Sequence, residues 1–205
     1  MPRQVDHEER RRVIAEAVCR LADESGLEGV TVRDVAERAG LSMGAVQRCF
    51  RTKEEMLVFA LGHVGEQIGR RVRERLVGSP AQSAASAVGY AAEELALLRA
   101  GQRSEARVWL AFVAQAAVSG PLAGTLRTGY AAMEELLVRL LTEAGAQTGV
   151  DAVEREARTL LALVDGLTTH VLIGRLTERQ AEEVLHAHLG GLWTHCARST
   201  PRQIP

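Results

Sequence analysis

Apolar residues recur along almost the whole chain at spacings of three and four, the period of an amphipathic helix, and no stretch alternates with period two. The pattern therefore predicts an all-α protein. A first helix is expected from about Asp6 to Ser25, with Val13, Ile14, Ala17, Val18 and Leu21 on one face and Gly26 as a left-handed stop. Two short helices follow near 32–39 and 43–49, then a longer one from about Lys53 to Val77. Further helices are expected near 80–99, 103–118, 121–144, 151–174 and 177–197. Capping signatures mark the starts: Asp6 with Glu9, Thr31 with Asp34, Thr52 with Glu55, Ser79 with Gln82, Asp151 with Glu154, and Thr177 with Gln180. In each, a side chain takes an orphan backbone N–H and a second polar residue answers three positions later.

Residues 31–50 carry a more specific pattern. Val32, Val35, Ala36 and Ala39 give a short helix one apolar face, Gly40 permits a tight turn, Leu41 plugs the corner, and Ser42 caps a second helix that buries Val46 and Phe50. This is a helix-turn-helix pattern. Gly44 and Ala45 leave the start of the second helix unobstructed, so its backbone can approach a major groove.

Charge changes the picture only when it is read locally. The 205 residues include 25 basic and 26 acidic side chains, for a net charge of −1, which excludes a diffusely basic nucleic-acid coat. Residues 1–57 sum to −1 and residues 58–205 to zero, but the stretch from Gly40 to Lys53 holds Arg48, Arg51 and Lys53 and no acid. Arg3 and the run Arg10-Arg11-Arg12 could add phosphate contacts, which position a protein without reading sequence. Aromatic residues make up 3% of the chain, too few for a base-stacking platform. Composition shifts near residue 57, from charge-dense to Ala/Leu/Val-rich. The domains are accordingly read as 1–57 and 58–198, with 199–205 a flexible tail.

The stretch from Arg12 to Leu61 resembles the N-terminal DNA-binding domain of TetR-type transcriptional regulators. The residues in register are Ile14, Ala17, Gly26, Thr31 to Ala36, Ala39 to Ser42, Gly44, Phe50, Lys53 to Glu55 and Leu57. Trp109, Phe112 and the segment Leu163 to Leu167 resemble the BetI-like C-terminal domain of that family. The resemblance implies a homodimer formed by the helices near 151–174 and 177–197, and a C-terminal cavity where a small-molecule effector weakens binding to a double-stranded DNA operator. By motif position, Thr31 and Arg33 would touch the DNA backbone, and Ser42, Met43, Gly44, Ala45, Gln47 and Arg48 would face DNA. Lys53 would grip a phosphate. The sequence departs from the family where Gln47 replaces a frequent Tyr and Cys49 a frequent His or Tyr.

Residues suited to an effector site are Arg107, Trp109, Phe112, Tyr130, Met133 and His170, with Tyr90 beside them; Arg107 and His170 are the polar groups a ligand could satisfy. Asp165, in the middle of an apolar helix, is expected to bond to a neighbouring helix or across a dimer. Other chemistry finds little support. Gly40 to Gly44 matches Gly-x-Ser-x-Gly, with Asp165 and His170 following in hydrolase order, but the segment ahead of Ser42 is charged and helical rather than a buried strand. His186, His188 and His195 with Cys196 suggest a metal site, but His186 and His188 sit about 200° apart on one helix and cannot share an ion, which leaves only His188 with His195 two turns away. No cofactor or catalytic residue is expected. Three cysteines without metal or redox spacing, and an N-terminus lacking a hydrophobic signal, suggest a cytoplasmic protein away from membranes. The function expected is that of a ligand-responsive regulator, in the first place a repressor. The alternatives are a helical small-molecule-binding protein or enzyme without a DNA role, and a protein-interaction module.

Overall fold

A computed structural model describes residues 2–78, 83–145 and 149–198, with side chains over 7–78, 83–145 and 149–193. Among them the chain forms helices and no strand: α1 (Pro2–Ser25), α2 (Val32–Ala39), α3 (Met43–Cys49), α4 (Lys53–Gly78), α5 (Ala84–Leu95), a 3-10 turn (Ala100–Gln102), α6 (Arg103–Ala116), α7 (Gly120–Glu143), α8 (Val150–Leu172) and α9 (Glu178–Arg198). No helix among the described residues is long and apolar enough to cross a membrane.

Local capping explains several boundaries. Thr31 accepts from the Asp34 N–H at 3.2 Å, and Thr177 and Gln180 form the reciprocal pair, each side chain taking the other's N–H at 3.2 and 2.9 Å. Thr52 caps α4 through the Glu55 N–H at 3.0 Å, while the Glu55 carboxylate takes the Arg51 N–H instead of that of Thr52. Other signatures mislead. The first helix already begins at Pro2, so Asp6 is no start, and Gly149, at φ 112°, precedes α8, which puts Asp151 inside its first turn. The Ser79–Gln82 signature lies outside the described residues, and α5 is capped by Ser83 through the Ser86 N–H at 3.2 Å. The helix expected over 80–99 stops at Leu95, because buried Leu97 takes a left-handed φ of 48°.

The chain forms two compact units, Met1–Gln67 with Ser104–Gly129, and Ile68–Arg103 with Tyr130–Pro205. The 57/58 boundary read from composition falls inside α4. In the first unit α1 packs against α2 and α3 and buries Ile14, Ala17 and Val18 completely, as its apolar stripe requires. Asp23 on α1 accepts from Arg107 at 2.5 Å and from Ser104 at 2.6 Å on α6. Those bonds, the Arg107 one foremost, hold the Asp23 carboxyl below its ordinary range, against the opposing pull of burial.

In the second unit α5 packs on α8 and α9, and α8 on α9. Val88, Ala91, Leu141, Ala157, Leu160, Ala181 and Leu185 sit at the centre of its core. Thr168, buried on α8, donates to the Ala96 carbonyl at 2.6 Å, and Glu94, 4% exposed, accepts from Arg99 at 2.6 Å. These contacts fasten the chain on both sides of Leu97, which is how a leucine keeps a backbone conformation that glycine would take more easily.

Candidate nucleic-acid interface

The turn between α2 and α3 follows from local chemistry. Gly40, at φ 66°, ends α2, and the Leu41 N–H reaches back to the Ala36 carbonyl at 2.9 Å, closing the helix with a left-handed residue. Ser42 then turns the chain into α3, its hydroxyl accepting from the Ala45 N–H at 3.2 Å. Ser42 is thus a helix cap, with a helix and not a strand ahead of it.

Seven residues of α3 divide into two faces. At about 100° per residue, Met43, Gly44, Gln47 and Arg48 span an arc of about 140°, and Ala45, Val46 and Cys49 occupy the opposite side. The first four are exposed and the last three buried. The expectation that Ala45 faces DNA is therefore corrected: at 8% exposure it packs inward beside Val46. Gly44 stays small although the fold leaves it room, since an added Cβ would meet nothing nearer than Arg48 Nη1 at 3.7 Å.

Cations on and beside this face contrast with several arginines that carboxylates hold. Arg38 is bound by Glu24 through two bonds of 2.6 and 2.7 Å, which lower the Glu24 pKa and raise that of Arg38. Arg107, Arg103 and Arg158 likewise hold carboxylates. Arg33, Arg48 and Arg51 are exposed and make no ion pair among the described residues. Lys53, at the first position of α4, lies 3.4 Å from the Glu28 carbonyl, at the outer limit of a hydrogen bond, and is exposed. It is the only lysine in the chain, a signal that composition offers and that the motif reading did not use. The Thr31 hydroxyl donates to Asp34 at 2.6 Å, whereas that of Ser42 keeps its proton unassigned among the described residues.

The basic run on α1 does something else. The Arg11 guanidinium lies over the rings of Phe50 and Phe59, 4.8 and 4.2 Å from their centroids, and so braces the end of α3 instead of reaching for phosphate. Arg12 pairs with Glu9 at 3.6 Å, and the Arg3 side chain lies outside the described residues.

The residues read for an effector site are dispersed. In the first unit Phe112 is fully buried in the core, Trp109 is partly buried, and Arg107 is about half exposed and paired with Asp23, so it is no unsatisfied pocket cation. In the second unit Tyr130 and Met133 pack against the core, Tyr130 donates to Asp165 on α8, and Tyr90 lies under Arg75 at 4.6 Å. His170 is partly exposed and accepts from Arg175 at 2.8 Å. His186 and His188 face separate carboxylates, Glu93 at 3.1 Å and Glu156 at 2.7 Å; His195 and Cys196 lie outside the described side chains. Among the described residues, no group of three His, Cys, Asp or Glu is placed to hold a metal ion.

Known proteins are similar to this chain in sequence and in fold. The model for bacterial regulatory proteins of the tetR family matches residues 14–58, and the model for the C-terminal part of BetI-type transcriptional repressors matches residues 84–194. The HTH-type transcriptional regulator PksA of Bacillus subtilis is 30% identical over 211 residues, covering 100% of both chains. The regulator BetI of Escherichia coli K12 is 28% identical over 77% of this chain and 80% of its own. A solved transcriptional regulator from Rhodococcus sp. Rha1 superimposes with a TM-score of 0.80 at 34% identity, covering 90% of this chain and 96% of that one. The chain belongs to the TetR family of transcriptional regulators, a family of DNA-binding proteins and not of enzymes, with a C-terminal part of the BetI type.

Proposed function

We propose that the protein is a repressor that binds a pseudo-palindromic operator as a homodimer and is released by a small-molecule effector. The observation that carries the DNA contact is the outward face of α3, where Met43, Gly44, Gln47 and Arg48 stand clear of the core beside cations that have no carboxylate partner among the described residues. Phosphate is the natural counter-charge for Arg33, Arg48, Arg51 and Lys53, and Ser42 can donate to the same backbone. Two such helices entering successive major grooves, about 34 Å apart, require two copies of the chain and a two-fold site.

Pairing through α8 and α9 is supported by Val184, Ala187 and Gly191, exposed on α9. The match to BetI-type repressors supports a repressive role. For the effector we propose a site within the second unit beside Tyr130, Met133 and Asp165, where apolar surface and a carboxylate–phenol pair occur together. The test is selection of genomic fragments with the purified protein, followed by a screen for metabolites that release the enriched fragment. One palindromic fragment bound by a dimer in sedimentation and freed by a metabolite is expected. A monomer, or no enriched duplex, would overturn the reading.

A further inference from the structure

The outward face of α3 holds two exposed side chains that carry no charge. Met43 is apolar yet 47% exposed, whereas Ala45, Val46 and Cys49 of the same helix are buried. Gln47 is uncharged, exposed, and its amide has no hydrogen-bond partner among the described residues. They stand four positions apart, so they are neighbours on one ridge of the helix. Gly44 and Arg48 form the adjacent ridge, with Arg48 Nη1 folded back toward Gly44. That division leaves Arg48 the charged work and Met43 with Gln47 the neutral work.

The major groove limits what neutral side chains can meet. Its one apolar group among the four unmodified bases is the 5-methyl of thymine, and the base edge that matches a carboxamide through both donor and acceptor is adenine, at N6 and N7. We propose that Met43 and Gln47 are the specificity-determining pair of this regulator. Gln47 accepts from N6 and donates to N7 of an adenine, while the Met43 thioether end covers a thymine methyl in the same half-site. Each half-site then contains an adenine read by Gln47 and a thymine covered by Met43. This rests on the DNA-binding reading above, and the experiment separates the two.

Full-length protein is used to select duplexes from a randomised library. In the selected site, each thymine is changed in turn to uracil, which removes only the 5-methyl, and each adenine to 7-deazaadenine, which removes only the N7 acceptor. One uracil position should weaken wild-type binding about fourfold per half-site, the effect of one buried methyl. One 7-deazaadenine position should weaken it severalfold, part of the discrimination a bidentate contact provides. Met43→Ala should lose the uracil sensitivity and keep the 7-deazaadenine sensitivity, and Gln47→Ala should do the reverse. Both residues are exposed, and circular dichroism checks that each variant keeps its helices. A wild type indifferent to every uracil, or variants that keep both sensitivities, would overturn this assignment while leaving DNA binding intact. A library with no enriched duplex would overturn the DNA-binding reading and this assignment with it.

Discussion

Replacing Gly44 by alanine should stabilise the free protein and weaken its hold on duplex DNA. Glycine within a helix costs roughly 0.5–1 kcal/mol relative to alanine, because the unfolded chain has more backbone freedom to lose. Nothing in the fold opposes the change: Gly44 is in helical conformation, and the new Cβ would meet only the flexible end of Arg48 at 3.7 Å, an ordinary contact. The stability gain should therefore be about 0.5 kcal/mol, since the position lies in the first turn, and raise the melting temperature by about 1–2 °C. Gly40→Ala is the control. With φ at 66° it forces a side chain into the left-handed region and should cost about 1–2 kcal/mol. Urea titration followed by helical circular dichroism, with unchanged slope, measures both. DNA affinity of Gly44→Ala should fall, because in the proposed complex the methyl lies between the α3 backbone and the groove. A destabilised Gly44→Ala would refute the claim that the fold tolerates a side chain there; unchanged affinity would refute the claim that this backbone meets DNA.

Other outcomes follow from named contacts. Lys53 is the only lysine, so amine-directed labelling read by mass spectrometry should find one side chain, protected when operator is bound and reactive when it is not. Arg107→Ala should lower stability at neutral pH by removing a bond to Asp23. Because that bond lowers the Asp23 pKa below the ordinary 3.8, the difference from wild type should be full above pH 5, shrink as pH falls below about 4, and vanish at the acid end of a urea-titration series. Burial, reinforced by Glu105 and Glu16, pushes the Cys19 thiol up to about 12, so in a Cys196→Ser background disulfide-exchange reagents at pH 8 should leave Cys19 unlabelled until the protein unfolds.

What the sequence disclosed was what short-range chemistry controls. Thr31, Gly40 and Ser42 act through backbone groups within five residues of themselves, so α2, the turn and α3 are legible to the residue. Asp165 was legible too, since a carboxylate among leucines requires a partner; the partner is Tyr130. Contacts across long sequence separations were not legible. Arg11 looks like one of three equivalent arginines until Phe50 and Phe59 come under it. The early end of α5 has no glycine or proline to announce it, because Leu97 is held by Thr168 on α8 and the Glu94–Arg99 pair. Ala45 is a different case. Its place beside Val46 on the helical period marks it as inward-facing, and the family motif, which names positions without their orientation, concealed that.

The most direct measurement is the salt dependence of operator affinity for wild type and for Lys53→Ala. With about eight phosphate contacts per dimer, log affinity against log salt should fall with a slope of roughly −7. Lys53→Ala removes one cation per protomer, so the slope should flatten by about 1.8, with binding weakened similarly on every sequence. Helicity and dimerisation should not change. A wild-type slope near zero, or a Lys53→Ala slope equal to that of wild type, would contradict the placement of α3 and the start of α4 against the DNA backbone.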